Sequence, residues 1–118
     1  MRIASLRFSW IIPSRAYAVE LAVGPPKLSA DRSRDLWGWV SQDAAARACL
    51  LGLTTVTFSG HEAFFIVAPS TVVNVDSAAL QKEVYPEVED IRRPWKGNAS
   101  FFDCSKAERL LGWTEASV

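Results

Sequence analysis

RDLWGWVSQDAAARACLLGL, residues 34–53, is the stretch that decides the fold, because two halves with different periods meet inside it. In the first half, large apolar side chains crowd around Gly38, which favours a short extended or irregular segment. In the second half, small and apolar residues recur at helical spacing: Ala44, Ala45, Ala48, Cys49 and Leu51. Ser41 is a suitable N-cap, and Gly52 is a suitable stop. The pattern predicts a helix over residues 42–51 that packs through its alanine face.

Length and composition set the broad class of the protein. The 118 residues suffice for one small domain or a piece of a larger one, and 49% of them are hydrophobic. Thirteen basic and thirteen acidic residues give a net charge of zero, which argues against a nucleic-acid partner. The first apolar run, residues 3–12, is too short to span a membrane and carries Arg7 at its middle. We therefore expect a cytoplasmic domain with no membrane or nucleic-acid partner.

The remaining elements are marked by apolar runs that end at proline or glycine. The pattern predicts strands over residues 2–12 and 62–68, weaker strands over 70–75 and 88–92, and helices over 77–84 and 105–111. Gly112 suits a left-handed C-cap, and Trp113 follows as an apolar closing residue. Residues 13–35 read as an irregular, largely polar segment that is either a solvated connector or a loop over a ligand. Strands and helices in this order indicate a mixed α/β fold.

Most motifs that carry chemistry are absent from the sequence. His61-Glu62 begins like a zinc-protease motif, but the second histidine is replaced by Phe65. The glycine spacing allows no dinucleotide-binding or P-loop turn, and neither Tyr17 nor Tyr85 is followed by lysine four residues later. We therefore predict no catalytic residue and no metal ligand within these residues.

Two features leave alternatives open. Arg92, Arg93, Lys96 and Asn98 form a donor cluster next to Trp95, which suits either a phosphate site or a solvated turn. The two cysteines follow no metal spacing, and two thiols in a reducing compartment are the simpler alternative to a disulfide. Cys49 is expected to pack within its helix face, whereas Cys104 starts a helix, where the dipole favours a lowered thiol pKa.

Four stretches together resemble the C-terminal part of the NAD-dependent epimerase/dehydratase family, the extended short-chain dehydrogenases/reductases. RIASLRFSWIIP resembles a late Rossmann strand, RDLWGWVSQDAAARACLLGL the family's arginine-aspartate-aromatic segment with its helix, and GHEAFFIVA the strand that follows. DCSKAERLLGW is close to the closing D-x-SKA-x-x-x-LGW signature and is the most specific match. The family's glycine-rich loop and catalytic Tyr-x-x-x-Lys have no counterpart in residues 1–118.

The resemblance implies an incomplete Rossmann-type α/β fold, with residues 1–118 forming a single partial domain. In relatives that use nucleotide sugars, an Arg-Pro-Gly-Asp segment contacts the nucleotide phosphates, and Arg93-Pro94 matches its first half. Trp95 and Lys96 then intervene, and Asn98 replaces the aspartate. Arg34 matches a polar position near the substrate, and Pro13 ends the strand that lies beside the nicotinamide.

These matches imply the substrate-binding region of an NAD(P)-dependent epimerase, dehydratase or reductase acting on nucleotide sugars or related carbonyl substrates. Arg34 and Arg93 are the expected substrate contacts, and Pro13 is the expected remnant of the cofactor site. We expect no catalysis and no NAD(P) binding by this chain alone, and we expect exposed apolar surface that promotes self-association. The alternatives are a small non-catalytic interaction domain derived from the family and a truncated gene product.

Overall fold

The computed structural model describes residues 1–17 and 32–115 as a mixed α/β fold with two small parallel sheets. The elements are β1 (Arg2–Phe8), β2 (Trp10–Ile12), a 3-10 turn (Ser33–Asp35), β3 (Trp39–Ser41), α1 (Gln42–Thr54), β4 (Gly60–Ile66), α2 (Ser77–Val84) and α3 (Ser105–Leu111). None of the helices in this described part is long and apolar enough to cross a membrane. Most of the segment predicted to be irregular, residues 18–31, lies outside the described residues.

Both sheets are parallel pairs joined by long connections. β1 pairs with β4 in the register Arg2 to Gly60 through Phe8 to Ile66, and β2 pairs with β3. Parallel neighbours need a long connection, and the one from β1 to β4 contains β2, β3 and α1. The strand predicted over residues 2–12 is therefore two strands, because the chain leaves β4 at Ser9 and takes β3 as its new partner.

The helix α1 forms as predicted at its start but continues further at its end. The Ser41 hydroxyl accepts a hydrogen bond from the Ala44 N–H at 3.2 Å, which caps the first turn. The helix then runs through Gly52 to Thr54, so the prediction that Gly52 ends it is wrong. A Cβ added at Gly52 would lie 3.3 Å from the Cβ of Ala4. Glycine at this position therefore permits close contact between α1 and β1.

Two groups of buried side chains hold the elements together. The first joins α1, β4 and α3 and contains Val40, Ala44, Ala45, Ala48, Phe58, Phe64, Ile66, Ala107, Leu111 and Trp113. The second lies around β2 and β3 and contains Ile12, Trp37, Trp39, Ala68, Val72, Val73 and Leu80. The alanine face of α1 is buried in the first group, as its spacing predicts. Cys49 lies outside this face and is exposed, so its predicted packing role is wrong.

The closing segment matches its prediction in detail. α3 spans Ser105–Leu111, and Gly112 follows in the left-handed conformation with φ of +67°. Trp113 is only 2% exposed, and its Nε1 donates to the Ala44 carbonyl oxygen at 2.8 Å. This hydrogen bond connects the residue that follows the C-cap of α3 to the first turn of α1.

The two weaker strand predictions are wrong. Residues 70–75 form only an isolated bridge between Ser70 and Ala99. Residues 88–92 are exposed and turn locally, since the Ile91 N–H bonds to the Glu89 carbonyl at 3.0 Å. The main helices and strands are as predicted, with β4 at residues 60–66 instead of 62–68 because Ala68 bonds to Trp39 beside the other sheet.

Candidate functional site

The chain makes a strained corner just before β3, and we call residues 32–38 the corner. Leu36 and Trp37 both have φ of +55°, although neither is a glycine. A left-handed backbone costs a bulky residue roughly 1–2 kcal/mol, so the surrounding structure must enforce it. The Trp37 N–H bonds to the Arg32 carbonyl at 2.9 Å, and the Trp37 ring is fully buried. Strain of this kind is typical of functional positions, which makes the corner the candidate site.

Aromatic packing holds the corner against the loop that precedes α3. The Trp37 ring contacts Tyr85 edge-on at 6.3 Å and Phe101 at 5.5 Å between centroids. Trp95 in turn lies 4.7 Å from Phe101. The Tyr85 hydroxyl donates to the Ser33 carbonyl at 2.5 Å. Pairs like these each contribute about 0.5–1.5 kcal/mol, enough together to offset the backbone strain.

Two buried polar atoms, one in the corner and one beside it, have no hydrogen-bond partner within the described residues. One carboxylate oxygen of Asp35, Oδ2, pairs with Arg32 at 3.3 Å. The other, Oδ1, and the hydroxyl of Ser9 are buried without a hydrogen-bond partner in the described part of the chain. Ser9 lies against Gly38, where an added Cβ would come within 3.1 Å of the Ser9 hydroxyl oxygen. An unsatisfied buried polar atom costs about 1–3 kcal/mol, a cost that the packing around the corner must offset.

A stacked cation adjoins these atoms. The Arg32 guanidinium lies 3.7 Å above the centre of the Trp10 ring, within the range of a cation–π contact. The Arg32 guanidinium also pairs with the Asp35 carboxylate, so contacts with Trp10 and Asp35 together fix its orientation. The corner therefore combines a fixed cation, an aromatic ring and a buried carboxylate oxygen that has no hydrogen-bond partner within the described residues.

The structure places the sequence-predicted residues as follows. Arg34 lies in the 3-10 turn of the corner and is exposed. Pro13 is exposed directly after β2. Arg93 is exposed and lies 3.4 Å from the carboxylate of Asp103. If both arginines bind one substrate, the Arg93 guanidinium should face the same cleft as Arg34 or the loop of residues 13–35, and this remains a prediction.

The donor cluster at residues 92–98 is dispersed in the structure. Arg92 faces Asp90 at 3.4 Å, and both side chains are largely exposed. The Asn98 amide donates instead to the Val73 carbonyl at 3.3 Å, next to the loop that Arg15 also binds. Asn98 therefore supports the loop rather than joining a phosphate site.

Sequence reasoning missed Arg32, Asp35 and Ser9 as site residues. Residues 29–35 read as polar loop, and nothing in the local sequence marks the partner of Asp35 or the burial of Ser9. The only local hint was Gly38 among bulky neighbours. Since Ser9 is buried by residues far away in the chain, only the tertiary structure exposes this arrangement.

Three further ionisable groups, all in or near α3 and β4, have shifted pKa values with structural causes. An ion pair with Lys106 lowers the pKa of Glu62 and joins α3 to β4. Hydrogen bonds from Ser105 lower the pKa of the Asp103 carboxyl. Burial raises the pKa of the Cys104 thiol, so the prediction of a lowered pKa is wrong: desolvation disfavours the thiolate here more than the helix start favours it.

Comparisons of the chain with protein-family models, curated proteins and solved structures found no match. Within residues 1–17 and 32–115, no group of three or more His, Cys, Asp or Glu side chains is placed to hold a metal ion. The function is therefore inferred from the packing of the chain and from the sequence resemblance.

Proposed function

We propose that residues 1–118 form the substrate-binding end of an NAD(P)-dependent epimerase/dehydratase of the extended short-chain dehydrogenase/reductase type. One observation carries the proposal: the four stretches that resemble this family supply all four described strands and two of the three described α-helices of one mixed α/β fold. β1 and β2 lie in the first stretch, β3 and α1 in the second, β4 in the third and α3 in the fourth. The second stretch supplies α1 within the connection from β1 to β4, and a parallel pair needs a long connection of this kind.

The proposed substrate is a nucleotide sugar or a related carbonyl compound. Arg34 and Arg93 are assigned to its phosphates, because guanidinium groups pair with phosphate oxygens through two parallel hydrogen bonds. Hydride transfer requires groups outside this chain, so the chain binds substrate and does not transform it.

Uridine diphosphate titrated by calorimetry tests the phosphate assignment. The unaltered chain should bind it weakly and saturably, and Arg93→Ala or Arg34→Ala should weaken binding about tenfold or more, since each loses a charge-assisted pair of about 1.5–3 kcal/mol. Arg92→Ala is the matched control, because Arg92 is equally exposed and also faces a carboxylate. Equal binding by all four proteins would leave both arginines as ordinary surface residues.

The NAD(P) prediction is tested separately. Pro13 supplies only one wall of the cofactor site assigned by resemblance, and residues 1–118 contain no glycine-rich turn to bring backbone N–H groups to the pyrophosphate. A pyrophosphate that loses water without gaining donors binds poorly. We therefore expect no saturable change in NADH fluorescence below millimolar cofactor. Stoichiometric binding of NADH by the purified chain would overturn the assignment.

A non-catalytic interaction domain is the second candidate, and the exposed apolar side chains favour it. Leu53 is 82% exposed and Val56 71% exposed, both at the end of α1, while Ile3 on β1 is 49% exposed. Surface of this kind is typical of a docking site or of self-association. Light scattering at increasing protein concentration measures self-association, and calorimetry measures binding of uridine diphosphate. Self-association without diphosphate binding favours the interaction domain over the substrate-binding region.

A further inference from the structure

Among the residues that the structure describes, nothing pairs with the second edge of β1. Its odd-numbered residues point their backbone groups toward β4, as shown by the Gly60 N–H that donates to the Met1 carbonyl at 3.2 Å. The even-numbered residues Arg2, Ala4, Leu6 and Phe8 therefore point theirs outward. Within the described residues β1 has no partner except β4, so these outward N–H and C=O groups are unpaired.

The edge lacks two of the features by which natural sheets protect theirs, a proline and a bulge, although it carries two arginines. β1 contains no proline, and its seven residues pair in unbroken register with β4. A two-stranded sheet is also marginal by itself, and a third strand adds much of the stability of a sheet. Unpaired edges of this kind are where extended peptides bind by strand addition.

Charge restricts the kind of strand that fits. Arg2 and Arg7 lie at the two ends of β1, and residues five apart on a strand point to opposite faces. The face away from the helices, which we call the open face, carries Ile3, Ser5, Arg7, His61, Ala63 and Phe65 and no carboxylate. The nearest strand carboxylate, Glu62, lies on the helix side and is already paired with Lys106. The edge is thus basic at both ends and apolar or neutral between them.

We propose that the free edge of β1 binds an extended segment of a partner protein that carries two carboxylates five residues apart, with β-branched residues between them. The carboxylates of such a segment reach Arg2 on the helix face and Arg7 on the open face, and its backbone pairs with Ala4 and Leu6. The partner's apolar side chains lie beside the exposed Ile3. This assignment does not depend on the substrate or family proposed above.

A second copy of this chain fits the edge less well. Antiparallel pairing of two β1 strands centred on Ser5 brings four arginines to one joint edge without a carboxylate on either strand. In that register Arg2 lies opposite Phe8 and Arg7 opposite Ile3, so self-pairing gains no charge pair, whereas an acidic partner supplies a carboxylate to both arginines.

Two capped six-residue peptides test the proposal against the ¹⁵N-labelled full chain. EVTVTE should bind saturably and shift the amide signals of Ala4 and Leu6, while KVTVTK should bind at least about tenfold more weakly. Arg7→Gln should weaken EVTVTE binding and reduce its salt dependence, because an exposed charge pair is lost. Ser5→Thr is the control and should leave binding unchanged, since it alters neither the edge nor its charges.

Ala4→Pro gives the most direct test of strand addition. Proline at position 4 removes an outward N–H without removing a hydrogen bond to β4, so the fold should persist while peptide binding falls about tenfold or more. Equal binding of both peptides, shifts confined to other surfaces, or no saturation at all would overturn the proposal. Self-association that Ala4→Pro abolishes would assign the edge to a second copy and would also overturn it.

Discussion

Gly112→Val should destabilise the protein through its backbone alone. Gly112 caps α3 with φ of +67°, and a Cβ built there meets nothing within 4 Å. Steric overlap with neighbours therefore adds nothing, and the cost is that of placing a β-branched residue in the left-handed region. That cost is roughly 1–2 kcal/mol, offset by about 0.4–1 kcal/mol because the unfolded chain loses the freedom of glycine.

The net effect is a loss of about 1 kcal/mol or more, since a β-branched residue lies at the upper end of the range. Urea denaturation followed by tryptophan fluorescence measures it directly, because Trp113 is buried next to the substituted position. The midpoint should fall while the slope of the transition stays the same. A drop in Tm of about 4 °C or more should accompany it.

Gly112→Asn is the matched control, because asparagine adopts the left-handed region more readily than other residues. It should cost clearly less than Gly112→Val. If the two variants are equally stable, or if valine is tolerated without loss, the conformational argument is wrong. A loss of slope as well as midpoint would indicate a change in the denatured state instead.

Three further predictions concern the contacts around α3. Trp113→Phe should lower the free energy of unfolding by about 1–2 kcal/mol, since a buried hydrogen bond and part of the core packing are lost; an unchanged urea midpoint would contradict this. Because Lys106 lowers the folded-state pKa of Glu62, the pair stabilises the fold above the ordinary glutamate pKa and loses that effect as pH falls through the lowered pKa. Glu62→Gln should therefore flatten the acid side of the stability curve, and an identical curve would argue against it. Ellman's reagent should label exposed Cys49 quickly and half-buried Cys104 slowly, so the fast phase should disappear in Cys49→Ala. Loss of the fast phase in Cys104→Ala instead would show that Cys104 is the more reactive thiol.

The sequence correctly predicted the helices whose ends are fixed by residues close to them in the chain. Helical spacing and a serine cap define α1, and a glycine C-cap with a following tryptophan defines the end of α3. These signals act within a few residues, so no knowledge of the partners is needed. The same rule mispredicted Gly52, because its glycine serves contact with β1 and not helix termination.

The features that local patterns missed depend on distant partners. The run at residues 2–12 gives no indication of a change at Ser9, since that change follows from the separate positions of β3 and β4. Residues 88–92 have strand-forming side chains but no neighbouring edge, so they remain a turn. Arg34 and Arg93 were predicted as site residues from the family resemblance, whereas the unpaired oxygens of Asp35 and Ser9 were found only in the three-dimensional structure.

The long reach of the β1–β4 pairing also bears on how the chain is made. Arg2 cannot meet Gly60 until nearly 60 further residues have left the ribosome. At about 5–20 residues per second, the first strand waits roughly 3–12 s before its partner exists. Pairing so distant in sequence also slows folding after release. Chaperones that bind extended apolar segments therefore have several seconds in which residues 2–12 are without their partner strand.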